Sequence, residues 1–201
     1  RMSKKIYLFS LVLLALTFTA CSETEEAGRY DNWRARNEAF IDSIAGAHAD
    51  LTKRGALDSI HMISYPGVPI YFKKKTPIGN GVIQDKIPYY TDLVTVYYKG
   101  MYILGSVDEQ DNFIGEVVEG SYTEANPSID FSKTEEFGVN SRVIGLSEIL
   151  QRMKVGERYE VYVPWKYGYG SSEYTPIGSS ITILGYSTLI FDIQMIDCKN
   201  Q

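Results

Sequence analysis

The clearest alternation of apolar and polar positions falls at 158–163. Tyr159, Val161 and Val163 interleave there with Arg158, Glu160 and Tyr162. A period of two sends successive side chains to opposite faces, so this run predicts a half-buried strand. Pro164 has no N–H for a ladder and ends it. Tyr167-Gly168-Tyr169-Gly170 follows, joining aromatic surface to backbone freedom. Such a loop suits the wall of a binding cleft, and it equally suits a plain hairpin with turn glycines.

Elsewhere the period lengthens. Over 31–54, Trp33, Phe40 and Ala47 with Asn37, Ile44 and Leu51 form a stripe at helical spacing. Asp31 suits the N-cap, Lys53 and Arg54 suit the C-terminal dipole, and Gly55 suits the final cap. Trp33 and Phe40 would dock this helix on the main domain or on a second copy of the chain, giving a homodimer. Shorter patterns predict a strand at 69–75, turn chemistry at 76–81, and a buried strand at 92–100 rich in β-branched and aromatic residues. Leu146 to Met153 is the one helical stretch of the later chain, with Ile149, Leu150 and Met153 on a single face. The β-rich domain spans 66–198, preceded by the helix at 31–55.

Residues 1–20 do not pattern as part of a fold. Lys4 and Lys5 precede an apolar core from Ile6 to Ala15, which is the form of a secretory leader. Thr19-Ala20-Cys21 resembles a bacterial lipobox, although Phe18 stands where leucine is usual. That resemblance implies cleavage before Cys21 and acylation of it, two or more chains giving stable anchoring. A plain leader with an incidental cysteine is the alternative. Residues 21–30 are then the lipidated cysteine and an acidic, flexible tether. The acidic run also resembles the surface-export signals of Bacteroidetes-type lipoproteins. The expected location is the cell envelope, anchored to the outer membrane and facing the periplasm or the exterior.

Composition narrows the function classes. The 201 residues include sixteen tyrosines and eight phenylalanines, as a β-rich domain with amphipathic faces would. Net charge is −5 with no basic patch, which makes nucleic acid a poor partner. With Cys21 acylated, Cys198 has no partner, so no disulfide framework is expected. His48 and His61 stand apart, without metal-ligand spacing.

Five separated motifs, in order, resemble the FKBP-type peptidyl-prolyl isomerases. They are Tyr71-Phe72-Lys73 with Gly79-Asn80-Gly81; Val96-Tyr97-Tyr98-Lys99-Gly100; Val143-Ile144-Gly145-Leu146 leading to Met153-Lys154-Val155-Gly156-Glu157; Val163-Pro164 with Tyr167-Gly168-Tyr169-Gly170; and Thr188-Leu189-Ile190-Phe191-Asp192-Ile193. The resemblance implies an α+β fold. A twisted antiparallel sheet would wrap around one short helix, here preceded by the N-terminal helix.

It also implies a pocket. Tyr98, Phe137, Ile144, Tyr169 and Phe191 fall at pocket positions, with Val139 and Val143 as lining candidates. Leu146 stands where the family has the tryptophan of the pocket floor. The Phe-Asp segment of the family has two candidate matches. One takes Val118 for the phenylalanine and Glu119 for the aspartate; the other supplies Asp130. An insertion at 104–115 and a lengthened loop after Gly170 depart from the family pattern.

The implied activity is rotation about X–Pro bonds in proline-containing polypeptides. The barrier is roughly 20 kcal/mol, set by amide resonance, and lowering it needs no cofactor and no metal. A dry apolar pocket favours the twisted amide over the more polar planar one. Leu146, Ile144, Phe137 and Phe191 would bury the proline ring with Tyr98 beside it. Tyr169 would donate to a substrate carbonyl, and Glu119 or Asp130 would orient Tyr98 or the carbonyl-facing wall. Two other classes fit the sequence: a non-catalytic FKBP-like peptide- or protein-binding lipoprotein, and a surface carbohydrate- or nutrient-binding lipoprotein using exposed loop tyrosines.

Overall fold

A computed structural model describes residues 28, 30–62, 65, 67–79, 82–107 and 113–200, with backbone alone for 104–107, 113 and 114. Cys21, the leader and most of the tether lie outside the described residues. The chain divides into Arg1–Asp31 and Asn32–Gln201. In the first unit, the described residues form a turn in which the Gly28 N–H donates to Asp31 at 2.6 Å. All that follows concerns the second.

Helix α1 (Trp33–Ala49) opens the second unit. It is shorter than the sequence predicts. Asn32, in the left-handed conformation, occupies the N-cap place that Asp31 was expected to fill, and its side chain makes no capping bond. At the far end Asp50 turns extended, and its carboxylate accepts from the Thr52 N–H at 2.9 Å and the Thr52 hydroxyl at 2.7 Å. This local Asx-type turn competes with helix and ends it before Lys53. Leu51, expected on the apolar stripe, is exposed as a result, while Ile41 is buried.

Seven strands follow among the described residues: β1 (Leu57–Ile60), β2 (Ile70–Lys75), β3 (Leu93–Val107), β4 (Phe113–Gly120), β5 (Glu135–Gly138), β6 (Arg158–Val163) and β7 (Leu189–Lys199). Every pairing is antiparallel, in the order β1-β2-β6-β7-β3-β4, with β5 sharing an edge of β3. β1 was not foreseen, and it starts the sheet ahead of the expected domain boundary. β3 runs past its predicted end at Gly100 and pairs with β4, so the insertion extends a hairpin. Its tip, 108–112, lies outside the described residues.

The short helix α2 (Ile144–Leu150) packs into the concave side of the sheet. Ile149, Leu150 and Met153 are fully buried, on the face the spacing predicts. Gly145 permits the close approach: a Cβ there would lie 2.5 Å from the Val163 side chain. The chain is therefore α+β, a twisted sheet around one short helix, with a helix in front.

Strand β6 corrects one expectation. Arg158 and Tyr162 are buried as deeply as Tyr159 and Val161 on the opposite face. The outer face of the sheet is covered twice. Helix α1 lies on it at one end, where Phe40 meets Tyr162 edge-on at 6.1 Å; at the start of the helix, Trp33 meets Tyr102 of β3 at 5.7 Å. The helix is tied there by Asn37, whose side-chain oxygen accepts from the Thr188 N–H at 2.7 Å. At the other end the 121–132 segment crosses the sheet, and beneath it Arg158 makes two bonds to Asp192, at 2.8 and 2.7 Å. Lys75 reaches the same carboxylate at 2.9 Å, and Asn126 receives the remaining Arg158 bond at 2.9 Å. A charged strand face is buried here because its charges are paired and hydrogen-bonded.

Candidate functional site

The concave side of the sheet carries an aromatic cluster centred on Tyr98. This residue sits on β3, and its ring stacks on Phe191 of β7 at 5.8 Å and meets Phe137 of β5 edge-on at 5.6 Å. The register explains the grouping. Gly100 of β3 faces Phe191, and Val94 of β3 faces Phe137, so a single strand gathers both neighbours around the ring. Val139 and Leu146, from the turn after β5 and from α2, close the cluster below and are fully buried. Ser147 pins α2 in place by donating to the Val139 carbonyl at 2.7 Å.

The Tyr98 hydroxyl donates to Glu119 at 2.5 Å. Gly100 leaves room for that pair, since a Cβ there would stand 2.9 Å from the Glu119 side chain and 3.2 Å from the Tyr98 oxygen. Burial, then the Glu119 charge, push the Tyr98 phenol well above its ordinary pKa, so it stays a donor. Of the two carboxylates considered for this place, Glu119 is the one at Tyr98. Asp130 lies in an exposed turn of the 121–132 segment.

Sequence reasoning passed over Arg142. Its guanidinium lies 4.3 Å from the Phe137 ring centre and 5.2 Å from that of Tyr98, on top of the cluster. It donates to Glu119 at 3.3 Å and also to Glu135. Burial opposes the charge, but Tyr98, Glu119 and Glu135 outweigh it and hold the guanidinium above its ordinary pKa. The signal available was its position: a lone cation directly ahead of Val143-Ile144, inside a run of apolar pocket candidates.

Tyr169 stands at the rim, half-buried and stacked on Tyr174 at 3.9 Å. Burial first, and then Glu119, push its phenol upward. Tyr174 belongs to the lengthened loop, a hairpin closed by paired backbone bonds between Tyr174 and Ile183 at 2.9 and 2.8 Å. The tip of that hairpin and the charged groups beside the cluster, Glu119, Glu135 and Arg142, enclose a cleft of about 410 Å³. Val118, Glu119, Glu135 and Arg142 form one wall, and Tyr174, Pro176 and Ile177 the other. Val118 is thus brought to the cleft. Val143 precedes α2 and is half-buried, while Ile144 is 40% exposed on that helix and does not join the buried cluster. Phe191, Leu146, Val139 and Phe137 are all buried, and Arg142 lies over the rings of Phe137 and Tyr98.

Residues 84–196 match the family described as FKBP-type peptidyl-prolyl cis-trans isomerase. The chain belongs to that family. It is 30% identical over 114 residues to the FKBP-type 22 kDa peptidyl-prolyl cis-trans isomerase of Escherichia coli, a match covering 57% of this chain and 45% of the relative. It is 31% identical over 135 residues to FkpA of Buchnera aphidicola, covering 67% of this chain and 42% of that one. The chain therefore spans less than half the length of these relatives. Among solved structures, a peptidyl-prolyl cis-trans isomerase from Pseudomonas syringae superposes with a TM-score of 0.53 at 19% identity, over 83% of this chain and 95% of that chain. FkpA of Escherichia coli gives 0.54 at 16%, over all of this chain and 75% of that one. These likenesses confirm the fold. Leu146, where the family resemblance puts the tryptophan of the pocket floor, is fully buried in this FKBP-type chain.

Proposed function

We propose that this chain is a peptidyl-prolyl cis-trans isomerase acting on exported proteins. The observation that carries the proposal is the buried Tyr98–Phe137–Phe191 cluster, with its hydroxyl fixed on Glu119, in a chain of this family. Catalysis here means favouring the twisted amide over the planar one. The proline ring settles on the aromatic cluster with Leu146 and Val139 beneath it. Desolvation there raises the energy of the planar amide, whose charge separation is larger. Tyr169 at the rim donates to a carbonyl of the substrate and holds it in register. Glu119 keeps the Tyr98 ring at one orientation by accepting the hydrogen bond of its hydroxyl, and so acts as a positioning residue. Arg142 lies where the ring must approach, so its two ion pairs loosen as substrate enters.

The reading extends to the N-terminus. Acylation at Cys21 would hold the domain at the outer membrane on its acidic tether, among newly exported polypeptides. A protease-coupled assay on a proline peptide tests the activity: acceleration over the uncatalysed rate supports it, and a folded protein without acceleration removes it.

One observation favours a second reading. The cluster is closed over by Arg142 and flanked by the Tyr169–Tyr174 stack. A non-catalytic module would bind peptides in the 410 Å³ cleft alone, without opening the cluster. The protease-coupled assay run beside a proline-peptide titration separates the two, because this reading gives binding with no turnover.

A further inference from the structure

The charged groups lining the cleft are Glu119, Glu135 and Arg142. Their bonds are unevenly spent. Both Glu119 oxygens are engaged, one by the Tyr98 hydroxyl and the other by Arg142. Glu135 gives one oxygen to Arg142, and its second has no partner among the described residues. The Glu135 side chain is also the more open of the two, 36% exposed against 16% for Glu119. Two carboxylates against one guanidinium leave the cleft with a net negative charge and one of the four carboxylate oxygens unspent. That acceptor lies on the strand that carries Phe137, so it flanks the place where a proline ring would sit.

We propose that Glu135 is a specificity residue that selects a lysine or arginine beside the substrate proline. This rests on the site binding prolyl peptides. A flanking cation can use the free Glu135 oxygen without breaking the Glu119–Tyr98 bond. A flanking carboxylate meets the net negative charge, and even as Arg142 loosens it must compete with Glu119 and Glu135 for the one guanidinium of the cleft. Partly exposed ion pairs of this kind are worth up to about fivefold, and salt weakens them.

The test uses the whole chain and two peptide series, Ala-Xaa-Pro-Phe and Ala-Ala-Pro-Xaa, with Xaa as Lys, Leu or Glu. Exchange NMR reads turnover, and peptide shift titrations read affinity. In at least one series the Lys peptide should exceed the Glu peptide by about fivefold at low salt. The ratio should fall toward one in Glu135→Gln and at high salt, and should invert in Glu135→Lys. A ratio of one or below in both series for the unaltered protein overturns the proposal, as does a ratio that Glu135→Gln leaves intact. If no peptide turns over, the isomerase reading fails by itself, and the Lys-to-Glu affinity ratio still decides the role of Glu135.

Discussion

Tyr98 is fully buried, and Glu119 is the one carboxylate that receives its hydroxyl. Removing that acceptor strands a polar group in an apolar cluster, at a cost of about 1–3 kcal/mol. Glu119→Ala should therefore lower unfolding stability by about that amount, measured by urea melts. Glu119→Gln, which keeps an acceptor at the same reach, should lose clearly less. Because the Tyr98 phenol lies well above its ordinary pKa, no titration of this group enters the neutral range. The residues of this cluster were legible because each stands in an apolar or aromatic motif. Arg142 and Glu135 were not. The place of Arg142 among apolar pocket candidates marks it as unusual, but nothing local fixes that it will lie on a phenylalanine five positions before it, or that β5 will bring Glu135 beside Glu119. Those meetings are set by the pairing of β5 and β4 with separate stretches of β3.

Among the elements, the sequence read strand β6 well along its length and misread its outer face. Alternation identifies a strand from within, but what covers the far side comes from elsewhere: Lys75 from β2, Asn126 from the crossing segment, and helix α1. The buried Arg158–Asp192 pair has a consequence for acid stability. Burial favours the protonated acid, but the bonds from Arg158 and Lys75 prevail and hold the Asp192 carboxyl below its ordinary value. Its folded pKa is thus depressed, and its stabilisation is fully present above the unfolded value, about 3.9. It is lost as pH falls through the folded pKa. Urea midpoints should accordingly fall below pH 4, and Asp192→Asn should flatten that part of the fall. Asp192→Asn should also cost about 3–5 kcal/mol at pH 7, since Arg158 is left without its counter-charge. Helix α1 makes a parallel case. Asn37 is wholly buried and receives the Thr188 N–H, so Asn37→Ala should cost about 1–3 kcal/mol in the same melts.

At the scale of the whole molecule, family and fold were legible because the motifs come in order and in register with a sheet. The first strand, Leu57–Ile60, was missed because four residues with mixed burial carry too little alternation to stand out. The stripe on helix α1 was legible as a docking surface, and the docking it makes is on the sheet of its own chain. The envelope reading belongs at this scale too. Cys21→Ser should move the protein from the membrane fraction to the soluble fraction, measured by fractionation, and unchanged membrane retention would count against acylation there.

The central claim is that the Tyr98 cluster turns over prolyl bonds once Arg142 lifts from it. Exchange NMR on a proline peptide with substoichiometric protein tests it most directly, because it sees cis and trans populations interconvert without a coupled protease. The account predicts cis–trans exchange faster than the uncatalysed rate in the unaltered protein, sharply reduced in a folded Phe191→Ala variant. Exchange at the uncatalysed rate with folded, peptide-binding protein would contradict it and leave the cleft as a binding site alone.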